Sequence, residues 1–231
     1  DLEGLPFRAV FDGCDRAWQV LGRRLRDSGA EMVFSRAFAS VLTTYTAAML
    51  VHRWLPGNFD VHISLPGHLS DLAWMVAVIA LWARVRWATA LTYYWGLTLN
   101  PQAILTPALD SPDFPHIDFI DLWVQHLLVL WAALYLMWGR GGRVDWRDYR
   151  LALVVTVTWA VATFWLNSWM GTNYGFLNGK PNNPSVLDLF GPWPWYLLVE
   201  FLIVTVAWAL ITWPWTIRRP STAETRIGAK G

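Results

Sequence analysis

The run Pro66-Gly67-His68-Leu69-Ser70-Asp71 places an imidazole, a hydroxyl and a carboxylate within one short stretch. Proline suits the first turn of a helix, and a helix N-terminus carries positive partial charge. A nucleophile at Ser70 would gain acidity there, and developing negative charge would meet free N–H groups. In a regular helix Ser70 points about 200° away from His68, so His68 is badly placed to take its proton. His126, from another segment, is the alternative base, because burial can move an imidazole pKa through neutrality. Asp71 lies three residues after His68 and can pair with it; Asp71 or Asp121 can orient the imidazole. Spacing also admits plainer roles. Ser70 can be a cap or a small packing residue, and His126 can be a neutral ring satisfied by a neighbouring helix.

The elements that would position these groups are apolar and long. Six stretches, near 34–53, 69–87, 88–105, 117–138, 149–170 and 194–217, approach the ~20 helical residues needed to cross a hydrocarbon core of about 30 Å. Backbone groups find no water in lipid, so such stretches must be helices. The expected fold is an all-α polytopic transmembrane bundle with six spans and both termini on the cytoplasmic side. Within it, Glu200, Asp121, Gln102, Asn100 and Asn167 join Ser70, His68 and His126 in one half of the bundle. Ionisable groups inside membrane helices are costly and therefore functional candidates. They imply a polar cavity opening outward or sideways. Asp118, Asp121 and Gln125 share one helical stripe, although Asp118 can also sit at headgroup level. His52 and Arg53, at a helix end, are expected to reach the interface.

Charge sets the orientation. Of eighteen Lys and Arg residues, only Arg53 and Lys180 fall on the side opposite the others. Lys and Arg excess marks the cytoplasmic side. Residues 1–33, carrying Arg8, Arg16, Arg23, Arg24 and Arg26, are too charged to span. They are expected to lie along the cytoplasmic surface or to form a partly ordered tail, and 218–231 form a basic cytoplasmic tail. The domain between them is 34–217. The chain begins at Asp1 without Met, as a piece of a longer precursor would, and shows no signal-peptide pattern. Only 15% of residues are charged and 55% are hydrophobic, with mean hydropathy +0.31 and net charge +1. That balance offers no electrostatic case for nucleic acid as partner. Eighteen Trp residues suit bilayer interfaces. The single cysteine, Cys14, excludes an intramolecular disulfide and any multi-thiolate metal site. No cofactor is expected.

The run GTNYGFLNGKPNNPSVLDLFGPWPWYLL, Gly171 to Leu198, resembles the signature of the YwaF family of multi-spanning membrane proteins. Tyr93 to Pro107 and Phe114 to His126 resemble it as well, and the similarity covers roughly residues 35 to 217. The resemblance implies kinship with animal acyltransferases that move a fatty acyl group between phospholipids through a Cys–His pair. Their Pro-x-His-x-Cys-like motif maps onto Pro66 to Ser70, so Ser70 stands at the position of the cysteine, and the partner histidine maps onto His126; either the chemistry runs through Ser70 activated by His126 or the activity is lost. Serine needs a base in place where a thiolate forms readily. The family pattern usually carries one more N-terminal helix.

Two functions follow as expectations. One is a membrane acyltransferase acting on phospholipid or another membrane lipid, with Ser70, His126, His68 and Asp71 as catalytic candidates. Gln102, Asp121, Asn173, Tyr174, Lys180 and Glu200 are then substrate-binding candidates, with Lys180 attracting phosphate at the outer mouth or serving as an ordinary interface residue. The other is a catalytically inactive accessory or scaffold subunit of a larger membrane complex, for which serine in place of the thiol speaks. A transporter ranks third, with Pro101 and Pro107 its only support. The expected location is the cell membrane.

Overall fold

A computed structural model describes residues 29–105 and 114–217, with a few isolated positions beside them. Most of the expected surface segment 1–33, with Cys14, lies outside the described residues, as do nearly all of the Thr106–Asp113 loop and the basic tail; the last residues of that segment, from Glu31, are instead the start of the first helix. Among the described residues the fold is all helical, with no strand. Helix α1 is Glu31–Trp54 and α2 is Leu69–Ala83. Helix α3 starts as Arg86–Tyr94, passes through a π-helical turn at Trp95–Leu99 and continues as Asn100–Leu105. Helix α4 is Ile117–Leu134, ending in a π-helical turn at Tyr135–Gly139. Helices α5 and α6 are Trp146–Met170 and Trp195–Ile217.

Each helix coincides with one apolar stretch of the sequence. Ile117–Gly139, Trp146–Met170 and Trp195–Ile217 are long and apolar enough to cross a membrane. Helix α2 is apolar but has 15 residues, about 22 Å at 1.5 Å per residue. It stops short of the expected 69–87 because Arg84 adopts a left-handed conformation, φ 59°, and Val85 is extended. The α2–α3 turn is therefore Arg84–Val85, and Arg86 is already helical. Helix α5 begins three residues earlier than its apolar run. Asp145 caps it by accepting from the N–H groups of Arg147, at 2.8 Å, and Asp148, at 3.3 Å, and the Asp148 carboxylate accepts the Asp145 N–H at 2.9 Å. This reciprocal capping box satisfies otherwise orphaned donors with charged residues.

Small residues let the helices approach. Ala73, Ala77 and Ala80 lie along one face of α2 and are buried, as are Ala39, Ala88, Ala132 and Ala133 on its neighbours. Bundles in lipid lack a hydrophobic drive between helices and pack through such residues. At Gly96 a Cβ would lie 2.8 Å from Ala133 Cβ and 3.3 Å from Val129 O, so glycine sets the α3–α4 separation. Tyr94, Trp95, Val129 and Trp208 fill one core; Leu42, Leu81, Tyr135 and Leu136 fill a second. Outward faces of α5 and α6 remain apolar and exposed, with Val154, Trp169, Leu202, Val206 and Leu210 on them.

The end of the bundle that holds the Arg84–Val85 turn is stitched by ion pairs. Glu31 meets Arg84, Arg140 Nε at 3.2 Å and the Tyr135 hydroxyl at 2.9 Å. Arg86 grips Asp148 with two nitrogens, at 3.1 and 2.8 Å, and Asp145 at 2.8 Å. The candidate residues lie at the opposite end, where α2, α4 and α6 begin.

Candidate functional site

Everything at this end hangs on the loop between α5 and α6. Asn167, 1% exposed, organises it. Its Nδ2 donates to Tyr174 O and Asn178 Oδ1, both at 2.9 Å; its Oδ1 accepts from Tyr174 N at 2.9 Å and Thr172 Oγ1 at 2.8 Å. The buried Tyr174 ring then clamps the segment before α2. Its hydroxyl donates to Val61 O at 2.5 Å and accepts the Leu65 N–H at 3.1 Å. Gly67 is pressed so close that a Cβ would sit 2.5 Å from Tyr174 Cγ. The Trp159 indole N–H donates to Gly67 O at 3.2 Å. These contacts deliver His68 and Ser70 to the bundle interior.

His68 is the residue before α2. Its N–H donates to Asp71 Oδ2 at 3.0 Å, so Asp71 fixes the helix start. Its Nδ1 accepts the Gly175 N–H at 3.3 Å, and its ring stands edge-on to Tyr174 with centroids 5.1 Å apart. Gly175 adopts φ 66° and a Cβ there would strike Trp159 at 2.5 Å, so only glycine brings this N–H to His68. Burial, Arg53 and His126 together lower the His68 pKa from 6.5 to about 4. The ring is neutral at pH 7.

From the other side, α4 presents His126, whose Nδ1 lies 2.6 Å from Leu122 O. Asn100, just past the π-helical turn of α3, donates its side-chain N–H to His126 O at 2.5 Å. Such turns reset side-chain direction and recur at functional sites. Gln125 Nε2 donates to Ser70 O at 3.4 Å, tying α4 to the first turn of α2. Ser70 Oγ makes no hydrogen bond to another described residue.

His68, Ser70 and His126 line one cavity of about 530 Å³, together with Asn100, Gln102, Ser185 and Glu200. The rest of the wall is apolar and aromatic, including Trp95, Trp159, Phe176 and Trp208. On the α5–α6 side the lining residues Val157, Val161, Trp165 and Phe201 are themselves exposed, so the cavity has an open flank between two membrane-length helices. Among the described residues, no cluster of three or more His, Cys, Asp or Glu is placed to hold a metal ion.

The structure thus brings Ser70, His68, His126, Gln102 and Glu200 to one cavity, and places five other candidates elsewhere. Asp71 holds the helix start. Asn173 closes its own loop by donating to Gly179 O at 2.8 Å and accepting the Asn178 N–H at 3.0 Å. Tyr174 is a buried clamp. Lys180 pairs with Asp188 at 3.3 Å and lies over the Tyr196 ring. Asp121, 1% exposed, pairs with Arg53 Nη2 at 2.5 Å. Arg53 therefore turns inward to a buried carboxylate rather than serving only as an interface residue. Asp118 sits at the start of α4 beside His116, which accepts its N–H at 3.3 Å. Sequence reasoning missed Phe176, Ser185 and the tryptophans of the cavity wall. Trp95, Trp159, Trp165 and Trp208 carry no spacing that separates them from interface anchors, while Gly175 was a usable signal for a close backbone approach.

Removing the Tyr174 hydroxyl should loosen the clamp. Tyr174→Phe leaves Val61 O and the Leu65 N–H without that partner and is expected to cost about 1–3 kcal/mol. Thermal unfolding of the detergent-solubilised protein checks this; an unchanged midpoint would mean that water or lipid replaces both bonds.

One family model, described as the TMEM164 family, matches residues 13–212, and that is a membrane-protein family. Its description differs from the YwaF resemblance drawn from Gly171–Leu198, and its match spans that run. No curated protein and no solved structure matches the chain.

Proposed function

This chain belongs to the TMEM164 family, and from that premise we propose that it is a membrane protein that takes a phospholipid acyl chain into the cavity and transfers it through Ser70. The observation that carries this reading is the cavity itself. A hydroxyl and two imidazoles line one pocket whose walls are otherwise mostly apolar and whose flank opens between two membrane-length helices. Apolar walls with a few placed polar groups are what a lipid ester requires. The acyl-transfer part rests on the YwaF resemblance, in which the position of Ser70 is a thiol and that of His126 its base.

In the proposed reaction, His126 takes the Ser70 proton as Oγ attacks the ester carbonyl. The C–O bond to the glycerol oxygen then breaks, and that oxygen leaves with the proton from His126. An acceptor hydroxyl then gives its proton to His126 as its oxygen attacks the acyl-serine carbonyl, and the acyl–Oγ bond breaks with that proton passing back to Ser70. Gln102 and Glu200 line the same cavity and supply polar contacts for the donor or acceptor. Six spans with both termini cytoplasmic would put this cavity in the outer half of the cell membrane, opposite the basic segments.

The test is transfer of a labelled acyl chain between phospholipids by the purified protein in nanodiscs. Ser70→Ala is expected to reduce transfer to background while lipid binding persists. Transfer undiminished in Ser70→Ala would overturn the site. Serine in place of the thiol favours a second reading, a non-catalytic subunit that holds lipid within a larger membrane assembly. It is the reading that survives if the wild type binds lipid without transfer and copurifies with stoichiometric membrane partners in mild detergent.

A further inference from the structure

The two imidazoles of the cavity have opposite hydrogen-bonding polarity, and the backbone imposes it. The Gly175 N–H can only donate, so His68 Nδ1, which accepts it at 3.3 Å, carries a lone pair. The proton of the neutral His68 ring is then on Nε2. The Leu122 carbonyl can only accept, so His126 Nδ1, 2.6 Å away, carries a proton. When that ring is neutral, its Nε2 holds the lone pair. One ring thus offers an Nε2 donor and the other an Nε2 acceptor, and both residues line the same cavity as Ser70.

We propose that His68 is a catalytic residue, donating its Nε2–H to the carbonyl oxygen of the bound acyl ester while His126 Nε2 receives the Ser70 proton. This deepens the acyl-transfer reading and rests on it. As the Oγ–C bond forms, the carbonyl π pair moves onto oxygen, where the His68 N–H stabilises it. When the oxyanion collapses, the pair returns and the bond to the glycerol oxygen breaks, with the proton passing from His126 to the leaving oxygen. A fixed neutral donor aimed at developing charge is effective where water is excluded. The surroundings keep His68 in this form. Arg53 from α1 and His126 from α4 both disfavour a second proton, and burial does so most. Asp71 is engaged with the His68 backbone N–H rather than the ring. Tyr174 and Phe176 pack on the ring edge and face.

Two measurements test the assignment. Nitrogen-15 NMR of histidine-labelled protein in nanodiscs at pH 7 should show His68 protonated at Nε2 and His126 protonated at Nδ1; His68 protonated at Nδ1 overturns the proposal without any assay of activity. In acyl transfer, His68→Ala is expected to lower kcat by roughly 100- to 1,000-fold with little change in KM, the loss seen when one oxyanion donor is removed. His68→Gln, whose amide reaches toward the Nε2 position, should recover part of that loss, and His68→Asn should not. Full rate in His68→Ala together with loss in Ser70→Ala overturns the role of His68 and leaves Ser70 in place. Absence of Ser70-dependent transfer overturns both.

Discussion

Replacing His126 with alanine is expected to reduce acyl transfer by roughly 100- to 10,000-fold, the range that a positioned general base contributes. The ring is held before substrate arrives. Its Nδ1–H is engaged by Leu122 O, and its backbone carbonyl is gripped by Asn100. The ring is 9% exposed, so its basic nitrogen competes with little water. Serine depends on such a base more than a thiol would, because its hydroxyl is almost never ionised near neutrality. Single-turnover transfer of a labelled acyl chain gives the rate, and equilibrium lipid binding shows that the cavity survives. A rate untouched by His126→Ala would remove His126 as the base and leave Ser70 without an activating group in this cavity.

The largest effect on folding is expected at Arg53. Arg53→Met leaves the Asp121 carboxylate, 1% exposed, without its cation. Breaking a buried pair from one side costs about 3–5 kcal/mol, because the surviving charge has lost both water and partner. The Tyr45 hydroxyl faces the same carboxylate, and a neutral donor does not replace a cation. The double variant Arg53→Met, Asp121→Leu should regain most of the loss, since an apolar pair of similar volume needs no desolvation. Denaturant unfolding in micelles of both variants decides this. An Arg53→Met protein as stable as wild type would show that the pair adds nothing to the bundle.

How much of this was legible in the sequence depends on the kind of signal. The helices were, because apolar runs in lipid leave the backbone no other choice. Their ends were less so: Asp145 and Asp148 form a cap inside what hydropathy alone reads as loop, and Arg84 ends α2 early through a left-handed turn. The arginine asymmetry was visible, but its use was not. Arg84, Arg86 and Arg140 are engaged by Glu31, Asp145 and Asp148, so part of that excess welds helix ends together. At the site, His68, Ser70 and His126 stood out as costly or chemically able groups in apolar surroundings. Their proposed roles did not, because a tautomer is set by which backbone group lies opposite: Leu122 is only one helical turn before His126, but Gly175 reaches His68 through the fold alone. Tyr174 looked like a ligand contact because it is polar and lies in the long loop. Its hydroxyl instead answers two backbone groups more than a hundred residues away in sequence.

On the proposed lipid reading, the open flank between α5 and α6 would fix the dimension in which this protein meets its ligand. Whatever passes Val157, Val161, Trp165 and Phe201 arrives by diffusion within a leaflet rather than from bulk solution. The concentration that governs occupancy is then a mole fraction. Adding inert lipid to the same bilayer empties the cavity, whereas adding buffer around the same vesicles leaves it unchanged. On that reading the cavity would fill according to the composition of the surrounding leaflet, not according to how much membrane is in the tube.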